Sequence, residues 1–207
     1  MAGSVSTRRV GTGGTTREAR SFVQSLKSAP VVAGIKATSD LALAAQCSVK
    51  VVFVLKGTIF ELRKTVEEAR ERGLELFAHV DLIEGVAHDA AGMQFLAREI
   101  RVGGILTTRR QLAVAAKEAG LAVIQRVFAL DAEALETGFA TVRNASPHAV
   151  EILPAAIVPR IRRRLPAWLP PVIGGGLIER REEIDEILNA GAIAVSTSKR
   201  ELWTYGA

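Results

Sequence analysis

Short apolar runs alternate with amphipathic helical patterns from Val31 to the end of the chain. The runs are VVAGI at 31–35, VKVVFVL at 49–55, ELFAHVD at 75–81, GGILT at 103–107, LAVIQRV at 121–127, AVEIL at 149–153, PVIGG at 171–175 and IAVST at 193–197. Each has the length and apolar content of a buried strand. Between them lie helical stripes. In TIFELRKTVEEARERG, Ile59, Leu62, Val66 and Ala69 share one face and Gly73 ends the helix; Gly191 ends ERREEIDEILNAG in the same way. Near-continuous apolar strands separated by amphipathic helices predict a parallel sheet covered on its outer face. Eight such units close into a compact α/β (β/α)8 barrel of the TIM type, against the rival of an open doubly wound sheet with fewer central strands.

Residues 1–16, MAGSVSTRRVGTGGTT, are rich in Gly, Ser and Thr and have no periodicity, so they read as a flexible leader before a single barrel domain at 17–207. The GTGG within them is no phosphate loop, because it lacks a Gly-Lys-Ser/Thr ending and follows no strand. The stretch REARSFVQSLKS, 17–28, predicts a short helix ahead of the first strand.

Composition narrows the function classes. With 48% hydrophobic residues in 207, the chain can build an ample core. Its one cysteine, Cys47, permits no intrachain disulfide and points to a reducing, cytoplasmic setting. The first residues lack the apolar stretch of a secretion signal, and no apolar run reaches the ~20 residues needed to span a bilayer. A formal charge of +5 favours anionic partners such as phosphorylated metabolites or nucleic acid.

Polar residues interrupt the strands where they end, which in a parallel barrel is the functional rim. They are Lys56 after strand two, His79, Asp81 and Glu84 at strand three, Thr107 and Arg109 at strand four, Gln125 and Arg126 in strand five, and Glu151 in strand six. His79 and Asp81 stand two apart, so a continuous strand turns both to one side, the barrel interior near its mouth. The plainer reading is that Asp81 caps the following loop. Strands seven and eight end in glycines, including Gly175 and Gly176, and in Ser196, Thr197 and Ser198. Glycine lets backbone amides approach an oxyanion and hydroxyls add donors, so these loops are expected to hold a phosphate, unless they serve only as a turn and a cap. In VPRIRRRLP, Arg160, Arg162, Arg163 and Arg164 read either as a solvated helix face or as a patch for a nucleic-acid backbone, with Trp168 the only ring nearby. Three histidines supply no closed zinc pattern, while carboxylates at Asp81, Glu84 and Asp89 could hold Mg²⁺ loosely.

The segments HVDLIEGVAHD, GILTTR, VIQRVFALD, VEILP, GGLI and AIAVSTSKRELW, taken in order, resemble the glycerol-3-phosphate-responsive antiterminators, the glycerol-uptake operon antiterminator regulatory family, from about Val31 to Trp203. The resemblance implies a barrel-like, non-enzymatic regulator that needs no cofactor. It would respond to glycerol 3-phosphate and act on the leader RNA of glycerol-utilisation messages to prevent early termination. It carries the family's motifs onto His79 to Ile83, Thr107 to Arg109, Gln125 and Arg126, Glu151, Gly175 to Ile178 and Ser196 to Ser198. Ala155 stands where the family has a glycine after Leu-Pro, which implies a tighter loop and an altered ligand fit. The arginine run is no signature of that family. The alternative is a phosphate-binding barrel enzyme, an isomerase or aldolase, in which Lys56, His79 and Asp81 act on a phosphorylated triose. A barrel that serves only as an interaction scaffold is a third reading, and homo-oligomers are compatible with all three.

Overall fold

The computed structural model describes residues 14–206. Eight parallel strands close a barrel, as the alternating pattern predicts: β1 (Val31–Ile35), β2 (Val51–Val54), β3 (Glu75–His79), β4 (Gly104–Thr107), β5 (Ala122–Phe128), β6 (Ala149–Leu153), β7 (Val172–Gly175) and β8 (Ala194–Thr197). Neighbours in sequence are neighbours in the sheet, and β8 returns to β1 with Val31 opposite Val195. The helices are α1 (Gly14–Ser28), α2 (Asp40–Gln46), α3 (Ile59–Glu71), α4 (Ala90–Phe95), α5 (Arg110–Glu118), α6 (Ala132–Ala145), α7 (Val158–Ile161) and α8 (Arg181–Asn189). The helix α1 begins three residues inside the expected leader, whose residues 1–13 lie outside the described part of the chain.

Local chemistry explains the element ends. At the start of α3 the Thr58 hydroxyl accepts from the Glu61 amide, and the Thr58 amide donates to the Glu61 carboxylate at 2.8 Å, so each satisfies an orphan donor. Strand β3 stops two residues before the sequence pattern does. The chain turns into a 3-10 turn at Val80–Leu82, and Ile83–Glu84 then pairs with Gly57–Thr58 in a separate two-stranded ladder.

Strand alternation creates two cores. Outward residues such as Val52, Leu76, Ile105, Val123 and Val195 pack against Leu62, Leu112, Phe139 and Ile184 of the helices. Inward residues, among them Val32, Phe53, Phe77, Leu106, Ile124 and Ile173, fill the barrel together with Phe22 and Leu26 of α1. The rings of Phe22 and Phe77 stand 4.6 Å apart between centroids, and Phe77 meets Phe53 at 6.1 Å. Because α1 leads directly into β1, its apolar side chains close the barrel at the N-terminal ends of the strands. Gly104 makes room for this packing: a Cβ there would lie 2.2 Å from the Phe77 ring and 2.6 Å from the carbonyl of Ala122.

Truncating Phe22 to alanine is expected to destabilise the fold by about 3–5 kcal/mol, as loss of a buried ring does. Urea unfolding checks this; an unchanged midpoint would show that α1 contributes nothing to the barrel interior.

Candidate ligand site at the barrel mouth

Above the apolar layer the same inward-facing positions turn polar. Glu151 has no exposed surface, yet it carries a carboxylate. Such a group needs partners. Arg126, directly opposite on β5, donates from Nε at 2.6 Å, and the Ser196 hydroxyl of β8 donates to the other carboxylate oxygen. Gly175 completes the arrangement, because a Cβ at that position would stand 2.6 Å from the Glu151 oxygen and 2.9 Å from the Ser196 hydroxyl. Any side chain there would displace one of them.

His79 belongs to this layer, alternating with inward-facing Phe77. It is 4% exposed, and neither ring nitrogen has a hydrogen-bond partner among the described residues. Burial lowers its pKa, and the positive charge of Arg126 pushes the same way, against the pull of Asp81 and Glu151. The imidazole is therefore neutral and offers one free donor and one free acceptor inside the barrel.

A cavity of about 730 Å³ opens above the buried pair, at the C-terminal ends of the strands. Arg126, Glu151, Ser196, Thr197, Ser198, Gly176 and Lys56 line it, as do Lys36 and Lys199, two cations that sequence reasoning did not select. Both were findable by the rule that selected Lys56: Lys36 follows the end of β1, and Lys199 follows Ser198. The amine of Lys199 donates to the Glu179 carbonyl and carboxylate, each at 2.8 Å; that hydrogen bonding raises its pKa. At the end of β7 the turn places Gly176 at φ +76° and Leu177 at φ +58°, so a left-handed glycine is followed by a left-handed leucine.

Other expected site residues lie elsewhere. Asp81 does not follow His79 inward, because the turn at Val80 swings it to the β4–α5 loop. There it accepts from the Thr107 hydroxyl at 2.8 Å, the Thr108 amide at 2.7 Å and the Thr108 hydroxyl at 2.9 Å. Burial raises the Asp81 pKa, but the bonds from Thr108 and Thr107 outweigh it and hold the carboxyl below its ordinary value. Arg109 lies 3.7 Å from Asp81 and 3.1 Å from Nδ1 of His88, so Thr107 and Arg109 fasten two loops and do not line the mouth. Gln125 shares the outward side of β5 with Val123 and Val127 and lines a different cavity, about 480 Å³, against α6. Glu84 is exposed on a groove of about 380 Å³ beside Lys36 and Lys56. The Thr197 hydroxyl accepts from the Lys199 amide, a capping role. Asp81, Glu84 and Asp89 do not converge, and among the described residues no group of three His, Cys, Asp or Glu is placed to hold a metal ion. Asp89 instead caps α4 through the Gly92 amide. The arginine run does not wind around one helix: Arg160 lies in the last turn of α7, while Arg162–Arg164 form a 3-10 turn.

A closed parallel eight-stranded barrel with a polar, lysine-edged mouth at the strand C-termini places the chain among the (β/α)8 barrels. Its sequence places it more narrowly. The chain belongs to the glycerol-3-phosphate responsive antiterminator family, whose profile matches residues 31–203. The glycerol uptake operon antiterminator regulatory protein of Listeria monocytogenes is 30% identical, with a TM-score of 0.79 over 84% of this chain and 95% of that one. An antiterminator-related protein of Thermotoga maritima is 31% identical, with a TM-score of 0.75 over 84% of this chain and 96% of that one. The uncharacterised Escherichia coli K12 protein YgcP is 30% identical over 184 residues, 86% of this chain and 94% of YgcP. Orotidine 5'-phosphate decarboxylase of Pyrococcus horikoshii, at 15% identity and a TM-score of 0.60 over 86% of this chain and all of that one, shares the fold alone.

The Asp81 network has a pH signature. Its folded pKa lies below the unfolded value, so its stabilisation is fully present above about pH 4 and is lost as pH falls through the folded value. Asp81→Asn is therefore expected to cost about 2 kcal/mol at neutral pH, as lost bonds to a charged group do, with the difference from the parent shrinking on acidification. Thermal unfolding from pH 7 to pH 3 checks it; a pH-independent difference would contradict the assignment.

Proposed function

We propose that the protein is a non-catalytic sensor that binds glycerol 3-phosphate in the barrel mouth and couples occupancy to binding of leader RNA, preventing early termination of glycerol-utilisation messages. The carrying observation is the buried layer of Glu151, Arg126, Ser196 and unpartnered His79 beneath a mouth edged by Lys36, Lys56 and Lys199. Its two halves match a ligand with two chemistries. Free donors and acceptors below suit vicinal hydroxyls, and the cations with the loops at Gly176 and Ser198 suit a phosphate. Lineage agrees, since this chain's family is defined by response to that metabolite. In an aldolase, Lys56 would form the Schiff base, but Lys56 is exposed and lacks the desolvation that makes a lysine nucleophilic. A sensor changes its RNA affinity only by as much as the ligand distinguishes the two states.

Calorimetric titration with glycerol 3-phosphate, glycerol and inorganic phosphate tests the reading. Saturable binding is expected only for the intact phosphoester, without consumption of the ligand. Ser196→Ala combined with Glu151→Gln should weaken it at least tenfold, the ~1.4 kcal/mol of one lost polar contact or more. Binding of none of the three compounds would sink the proposal, and turnover of the phosphoester would replace it with the enzyme reading.

A further inference from the structure

The segment after β6 shows a second feature, made of residues that do not line the mouth cavity. Leu165 and Leu169 pack against the helix layer, which leaves the arginines of the preceding turn and Trp168 on the outside. Arg164 reaches Glu136 of α6 at 3.6 Å, and Trp168 meets Arg143 of the same helix, whose guanidinium lies 5.2 Å from the ring centroid. Positions 136 and 143 are two turns apart on one helix face, so the segment runs along α6 and forms a single strip with it. Both members of the Arg164–Glu136 pair are more than half exposed, which makes that pairing weak and leaves the guanidinium available. Arg160, Arg162 and Arg163 are exposed and make no ion pair among the described residues. A hollow of about 290 Å³ lies between Arg143, Pro147, Trp168 and Pro170.

We infer that this strip, made by Arg143, Arg160, Arg162, Arg163, Arg164 and Trp168, is a docking surface for single-stranded RNA. It rests on the proposed function for the identity of the partner, and it locates the contact on residues outside the lining of the mouth. Arg160, Arg162 and Arg163 carry no ion pair among the described residues and Arg164 holds only a weak one, a set of cations suited to a phosphate backbone. An exposed indole already stacked with a guanidinium is a platform for an unpaired base, which supplies the aromatic partner that the arginine run alone lacks. The same unit of the fold touches the mouth: Glu151 lies on β6, and the Ala155 amide, at the start of the segment leading to α7, donates to the carbonyl of Gly176 in the phosphate-side loop. A ligand that shifts the Gly176 loop thus pulls on the chain that carries the arginines.

The two tryptophans make the test direct, because Trp203 is 1% exposed and Trp168 is 41% exposed. A labelled mixed-sequence single-stranded RNA is titrated into the full chain, with glycerol 3-phosphate present, while label anisotropy and tryptophan emission are followed across a salt series. Binding should quench the emission. Arg162→Ala with Arg163→Ala should lower the salt slope by about 1.4, two phosphate contacts at ~0.7 each for a single strand. Trp168→Ala should weaken binding roughly tenfold, and Trp168→Phe should retain most of it, as base stacking requires only a ring. Anisotropy that rises normally in all these variants, with no quenching in the parent, would overturn the surface and leave the RNA reading intact. No binding by the parent at low salt would overturn both.

Discussion

A carboxylate without exposed surface dictates the upper half of this barrel. Glu151 can stay charged inside only if cation and donor meet it from fixed positions. Arg126 is its direct neighbour across the β5–β6 ladder, and Ser196 reaches it from β8 while Gly175, paired with Ser196 across the β7–β8 ladder, stands aside. A slip of one residue between any of these strands would turn Arg126 or Ser196 outward and strand the charge. The polar cluster therefore also fixes strand register. The apolar layer beneath, with Phe53, Phe77 and Ile124, tolerates no such discrimination by itself, because one hydrophobic residue replaces another at modest cost.

Much of the architecture was legible because barrel strands and covering helices leave different periodicities. Seven of the eight strands fall within the apolar runs and β5 overshoots its run by one residue, Phe128, while alternation separates inward Arg126 and Glu151 from outward Gln125. Asp81 departs from the alternation because the strand does not continue past His79. Nothing in the spacing of His79 and Asp81 announces the turn at Val80, since its cause is a bond to threonines 26 and 27 residues away in sequence. Gln125 and Arg126 are adjacent in β5 and so cannot both face the mouth. The joining of Trp168 to Arg143 was likewise invisible, being a contact between a loop and a helix that only packing brings together.

Ala155 sits without strain. It opens a 3-10 turn at Ala155–Ile157, is fully buried and donates its amide to Gly176. Its methyl packs toward Gly174, where a Cβ would come within 3.3 Å of it and 2.7 Å of Ile187. The methyl thus fills space beside Gly174, and it stiffens the junction between the Gly176 loop and the segment leading to α7.

The apolar stopper formed by Phe22 and Leu26 makes the barrel interior a blind well. Whatever occupies the space above Glu151 enters and leaves by one opening, and water cannot refill the cavity from behind as it departs. Any occupant would pass Lys36, Lys199 and exposed Leu177 at the rim both on entry and on exit, with the deep layer reached last. A binder of this shape can be tuned to slower or faster exchange through its loops without altering the chemistry it recognises.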